Sequence, residues 1–171
     1  MTGNKITPKK NKAQAMVEFA IVLPILLLLL YGLLEAGRLL FIYSSIVTAS
    51  RQAVRYGSAS GQGTTFVPRY QDCNGIREAA QRVDYLNAFE DEDITIQHDT
   101  GPGSTLTTFC DGLAADPSFA PTSNNSRLVV TIDGNYYPIV PRMVGFLERS
   151  DASASGPIQA ESARTVLVSV A

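Results

Sequence analysis

The chain contains no tryptophan, one histidine, two cysteines and no lysine after Lys12. A single histidine without a CxxC pair lacks the usual ligand sets of a zinc site. No Walker loop, GxSxG, HExxH or GxGxxG motif occurs, so nothing in the sequence points to catalysis or to a cofactor. We therefore expect a protein that is not an enzyme and that uses no metal.

Positive charge is concentrated at the N-terminus. The formal net charge of the chain is -2, and its first dozen residues carry +4 without any acid, so the remainder carries -6. An acidic remainder argues against nucleic acid as a partner. The lysines responsible are Lys5, Lys9, Lys10 and Lys12.

A long apolar segment follows the lysines. Residues 19–34 carry no charge, and Glu18 is the one charge between Ala13 and Leu34. About 22 helical residues span roughly 33 Å, enough to cross the hydrocarbon core of a membrane. Lysines before the segment and none after it place the N-terminus in the cytoplasm. The sequence predicts a basic cytoplasmic leader (1–13) and a transmembrane helix (14–36) in the lipid of a bacterial cytoplasmic membrane, with the later residues outside the cytoplasm.

A cleaved secretory signal peptide is the alternative interpretation of a basic tail before an apolar run. The run here is longer than the 7 to 15 residues typical of such peptides, and no A-x-A site closes it. Apolar residues also continue at helical spacing beyond it, which favours an amphipathic extension of the same helix over 37–60. They are Leu39, Ile42, Ile46, Ala49, Ala53 and Tyr56, and the glycines of residues 57–63 end the pattern.

Residues 61–171 have the length and patterning of one small α+β head. Helical spacing predicts a second helix over Asn74–Phe89. Alternating or β-branched residues predict strands at Ile94–His98, Arg127–Tyr137 and Ala163–Val170. The expected fold is α+β, in which the long N-terminal helix and the second helix pack on a small antiparallel sheet.

Two features of the head have alternative interpretations. Cys73 and Cys110 form one disulfide if the head is exported, and two buried free thiols otherwise. The acidic run at residues 90–93 is either a solvated loop or a divalent-cation site. Four adjacent acids cannot all converge on one ion, which favours the loop.

Glu18 and Pro24 are unusual inside an apolar helix. A carboxylate in lipid is costly and generally has a partner, although placement near a helix N-terminus also stabilises it. Pro24 removes a helical hydrogen bond, which gives either a simple kink or a site for packing against another subunit.

The segment KAQAMVEFAIVLPILLLLLYGLLEAGRLL resembles the N-terminal helix of the TadE-like family of tight-adherence pilus proteins. The resemblance implies that a prepilin peptidase cuts the bond between Ala13 and Gln14. The family prefers glycine before the cut, where this chain has the similarly small Ala13. The resemblance also implies that Glu18, the fifth residue after the cut, pairs with the new terminal amine of a neighbouring pilus subunit.

Residues 138–147 are too apolar for an ordinary exposed loop and form either core or a contact surface. The candidate contact residues are Ile139, Val140, Met143 and Phe146. The resemblance implies a minor pilin or pseudopilin that meets pilus subunits and assembly proteins. The alternative is a membrane-anchored module that binds an extracytoplasmic ligand and is neither cut nor assembled into a pilus.

Overall fold

A computed structural model of the chain describes residues 12–64, 66–119, 121, 126–136 and 157–166. The chain divides into two compact units, Met1–Arg38 and Leu39–Ala171, and from here on the head means the second unit, which includes the last part of the long N-terminal helix. The expected α+β fold is confirmed: a long N-terminal helix, one more helix and a four-stranded antiparallel sheet. The elements are α1 (Lys12–Gly57), α2 (Cys73–Gln81), β1 (Ile94–Asp99), β2 (Thr107–Thr108), β3 (Arg127–Asn135) and β4 (Pro157–Thr165).

Helix α1 runs for 46 residues, as the continuous helical spacing predicted. Its last part buries Ile42, Ile46, Ala49 and Ala53, whereas Leu39 remains 39% exposed. Three- and four-residue intervals place the buried side chains on one stripe, which packs in the core of the head.

Glycines let the end of α1 approach the sheet closely. A Cβ atom at Gly57 would lie 2.3 Å from Leu128 Cδ2, and one at Gly134 would lie 2.1 Å from Ile46 Cδ1. A side chain at either position would displace a methyl group of the buried Leu128 or Ile46, so glycine lets the helix pack closely against β3.

Helix α2 ends at Gln81 and is therefore shorter than the predicted helix Asn74–Phe89. The Asp84 carboxylate accepts hydrogen bonds from the backbone N–H groups of Leu86 and Ala88, at 3.3 and 3.0 Å. An aspartate that binds nearby backbone donors in this way competes with helix formation. Helical spacing was therefore a misleading signal beyond Gln81.

The sheet has the order β2-β1-β3-β4, and every neighbouring pair is antiparallel. The predicted strand starts at Ile94 and Arg127 are confirmed, whereas the predicted start at Ala163 is wrong. Strand β4 begins at Pro157, because the nine residues of β3 pair with it from Asn135 through Arg127. The polar residues of β4 gave no strand signal in the sequence. An outer strand tolerates them, because its backbone hydrogen bonds to β3 do not depend on apolar side chains.

The core of the head lies where α1 and α2 meet the sheet. Ile94 and Ile132 face each other across β1 and β3, as do Ile96 and Val130. Burial of each such side chain is worth about 1.5 to 3 kcal/mol. The other large members of the core include Ile42, Ile46, Ile76, Phe89, Phe109, Phe119 and Leu128.

Candidate functional site

The first part of α1 is apolar on all sides. Its exposed large side chains between Met16 and Leu34 retain 49% to 76% of their surface. A helix that is apolar all round is stable when protein or lipid covers it. Among the described residues, α1 is the one helix long and apolar enough to cross a membrane.

Glu18 lies on the surface of this apolar segment. The side-chain amide of Gln14, one helical turn earlier, donates a hydrogen bond to Glu18 Oε1 at 3.1 Å. Side chains four residues apart stack on the same side of a helix. Gln14, which the resemblance implies to be the N-terminal residue after the cut, and Glu18 are thus neighbours within one chain.

The bond between Ala13 and Gln14 lies in the first turn of α1, which begins at Lys12. Backbone N–H groups of a first helical turn have no partner within the helix. Opening this turn therefore breaks few hydrogen bonds. Pro24 lies inside α1, which continues through it. The packing roles of Glu18 and Pro24 remain predictions.

The head contains the predicted disulfide between Cys73 and Cys110, whose Cα atoms are 5.5 Å apart. It joins the start of α2 to the loop after β2. Arg77 reinforces this connection, since its guanidinium donates to the backbone carbonyls of Cys110 and, at 2.9 Å, Leu113. The Asp116 carboxylate accepts from the Cys110 N–H at 3.1 Å.

Asp72 is fully buried and connects three parts of the head. It accepts hydrogen bonds from the Tyr56 hydroxyl (2.7 Å), the Thr64 N–H (2.6 Å) and the Gly75 N–H (3.2 Å). These donors belong to the end of α1, the following loop and the first turn of α2. A Cβ atom at Gly63 would lie 2.0 Å from Asp72 Oδ2, so this close approach requires glycine.

Burial alone would raise the pKa of the Asp72 carboxyl, but hydrogen bonds from Tyr56, Thr64 and Gly75 outweigh it and hold the pKa below its ordinary value. The sequence interpretation did not single out Asp72. Its position directly before a helix is a frequent capping position for aspartate, and this signal was available.

His98 belongs to a buried aromatic cluster. Its ring centroid lies 4.4 Å from that of Phe119 and 5.4 Å from that of Phe109, and Tyr70 meets Phe119 edge-on at 5.7 Å. Nδ1 of His98 is buried and has no hydrogen-bond partner among the described residues. Burial lowers the pKa of His98, and the carboxylates of Asp99 and Asp116 offset this only in part.

We expect the head to lose stability as the pH falls from 7 to 5, because the folded state resists protonation of His98 while the unfolded chain does not. At pH values well above 6.5, the ordinary pKa of histidine, the lowered pKa of His98 has no effect on stability. Below pH 6.5 the unfolded chain binds a proton more readily than the folded chain, so the loss of stability grows as the pH falls. His98→Phe should remove this dependence. Unfolding midpoints of the full chain in detergent, measured by pulse proteolysis at several pH values, provide the test.

This prediction needs no control for other histidines, because His98 is the single histidine of the chain. Other side chains with ordinary pKa values do not titrate between pH 5 and 8. A wild-type midpoint that stays constant from pH 7 to 5, or a His98→Phe chain that retains the slope, contradicts the assignment.

The remaining candidates from the sequence are the apolar contact residues and the acidic run. The candidate contact residues Ile139, Val140, Met143 and Phe146 lie outside the described residues. Most of the acidic run is exposed, and no group of three or more metal-ligating side chains occurs in the described part of the chain. The sequence did not indicate that Arg51 and Arg55 would share a groove with Arg164, more than 100 residues later.

The helix and the head together define a class of protein: an α+β head that follows one N-terminal helix apolar enough to span a membrane. Residues 13–55 match the family model described as TadE-like protein, which confirms the resemblance. The match covers most of α1, including Glu18 and Pro24. It supports a role related to tight-adherence pili and association with components of their assembly. No curated protein and no solved structure matches the chain.

Proposed function

We propose that this chain is a minor pilin or pseudopilin that takes part in assembling a tight-adherence pilus. The observation that carries the proposal is a carboxylate, Glu18, on the surface of a helix that is otherwise apolar and matches the TadE-like model. An unpaired carboxylate in lipid costs several kcal/mol, so a subunit that supplies a cation gains correspondingly in affinity.

In this proposal the helix crosses the bacterial cytoplasmic membrane once, with residues 1–13 in the cytoplasm and the head outside. A prepilin peptidase cuts after Ala13, and Gln14 becomes the first residue. The new α-amine has an ordinary pKa of about 8 and is largely protonated at pH 7. It neutralises Glu18 of a neighbouring subunit, and this pairing sets the register between helices. The chain acts through binding and has no enzymatic role.

Determination of the mature N-terminus tests the proposal. In cells that carry a prepilin peptidase and the remaining pilus components, chains from the membrane fraction should begin at Gln14. Ala13→Gly should still be cut, because the family prefers glycine there, whereas a large side chain in Ala13→Leu should block the cut. Recovery of an uncut wild-type chain, with Met1 to Gln14 contiguous, would refute the processing step.

Capture of pilus components separates the proposal from a simple anchored binding module, which would be neither cut nor accompanied by them. Glu18→Gln removes the charge and retains the side-chain size, so crosslinked pilus components should be recovered in smaller amounts. Glu35→Gln is the matched control. Its carboxylate lies 3.8 Å from Arg38 of the same chain, so it already has a cationic partner. Equal losses in the two variants would contradict the role of Glu18.

A further inference from the structure

One groove of the head is lined by three arginines. Arg51 and Arg55 on α1 and Arg164 on β4 surround a groove of about 450 Å³ together with Ser162. Arg51 and Arg55 are four residues apart, so they lie on the same side of the helix, where like charges repel by a few tenths of a kcal/mol. We refer to Arg51, Arg55 and Arg164 as the arginine face.

These three arginines are exposed. In the part of the chain that the structure describes, none of them forms an ion pair with a carboxylate. Two nearby arginines have partners of their own. Arg82 pairs with Glu78 at 3.8 Å, and the guanidinium of Arg69 lies 5.3 Å from the centre of the Tyr56 ring. The arginine face thus concentrates positive charge on a head that is acidic overall, and such a field attracts an anionic surface.

The head also has a cleft of about 460 Å³ whose rim includes Asp91, Glu92 and Asp111. All three are exposed, and we refer to them as the acidic face. Arg77 also lines this cleft, but its guanidinium is bound to the carbonyls of Cys110 and Leu113. Two of the acids lie in the short helical turn before β1 and the third follows β2, whereas Arg164 lies on β4 at the other edge of the sheet.

We propose that the arginine face of one copy of this chain binds the acidic face of a second copy, an inference that rests on the proposed function for its setting in a pilus. The opposite charges of the two faces identify the partner. Because the two faces lie at different edges of the sheet, the contact is head-to-tail, and the pair retains one unused arginine face and one unused acidic face. Contacts of this type extend into open chains when the rotation between copies does not close a ring.

Exchange of charges between the faces provides the test. Two differently tagged full-length copies are expressed in one membrane, solubilised in mild detergent and captured through one tag. Arg51→Glu with Arg55→Glu should lower self-capture about tenfold, because like charges then face each other. Glu92→Arg with Asp111→Arg should do the same. A mixture of the two variants retains one native pair of faces and should be captured together.

A chain with all four substitutions should regain self-capture, because its faces are again opposite in charge. Raising the salt from about 50 mM to about 500 mM should weaken wild-type capture, since it shortens the range of exposed charges. Glu161→Arg is the matched control. It replaces one exposed acid by arginine, as each substitution in the acidic face does, and alternation along β4 places it on the opposite side from Arg164. It should leave capture unchanged.

Self-capture that neither charge-reversed variant loses overturns the inference. So does a loss that the four-fold variant fails to restore, because the acidic partner is then another molecule. Intact disulfide and protease resistance establish that each variant is folded. Sequencing the N-terminus of the same samples separates the two proposals. In cells that carry a prepilin peptidase and the remaining pilus components, uncut chains with charge-dependent capture refute the pilin assignment alone, and cut chains with charge-independent capture refute the contact alone.

Discussion

Replacing Cys73 and Cys110 together by alanine is expected to lower the free energy of unfolding of the head by about 4 kcal/mol. The disulfide joins residues 37 apart, and the entropy that such a crosslink removes from the unfolded chain accounts for this value. Both cysteines are buried, so the lost packing adds to the effect. Domains of this size are typically stable by about 5 to 15 kcal/mol, which makes the loss a large share of the total.

Urea unfolding of the full chain in detergent, followed by pulse proteolysis, measures this loss. Wild-type protein under a reducing agent should shift by a similar amount, which separates the crosslink from the substitutions themselves. Identical urea midpoints for the oxidised wild type and the double variant would show that the disulfide contributes nothing to stability.

Asp72→Ala is expected to destabilise the head by about 3 kcal/mol, because it leaves several buried donors without their acceptor. The Tyr56 hydroxyl and the N–H groups of Thr64 and Gly75 all lose this partner. The end of α1, the loop and the start of α2 should loosen together. Hydrogen exchange of these segments and the urea midpoint of the full chain report the effect.

Tyr56→Phe removes one donor and should cost about 1 kcal/mol. Combined with Asp72→Ala, it should cost less than the sum of the two separate losses, since both remove the same hydrogen bond. Asp111→Ala, an exposed acid, is the matched control and should stay within about 0.5 kcal/mol. Additive losses in the double variant would contradict a shared network.

The Asp72 network also has a defined pH dependence. The pKa of Asp72 is lowered in the folded state, so its contribution is present above the ordinary value of 3.8 and is lost as the pH falls through the folded value. The loss of stability that protonation of Asp72 causes therefore occurs at a lower pH than the loss that protonation of His98 causes.

Local signals were sufficient for the long helix and the disulfide. An apolar run with lysines on one side, followed by apolar residues at helical spacing, specified α1 up to Gly57, and two cysteines in a head expected outside the cytoplasm specified one pair. Element ends were less predictable. Helix α2 stops early because Asp84 captures backbone donors, and β4 starts early because β3 offers it a ladder of nine residues.

The sequence by itself determined the apolar helix, the placement of Glu18 within it and the resemblance to TadE-like proteins, because each depends on residues that are neighbours along the chain. Tertiary structure alone decided the network around Asp72 and the arginine face. Tyr56 and Asp72 are 16 residues apart, and Arg55 and Arg164 belong to different elements at distant positions. Packing of α1 on the sheet brings such residues together, and that packing depends on close approaches at Gly57 and Gly134 which no local pattern displays.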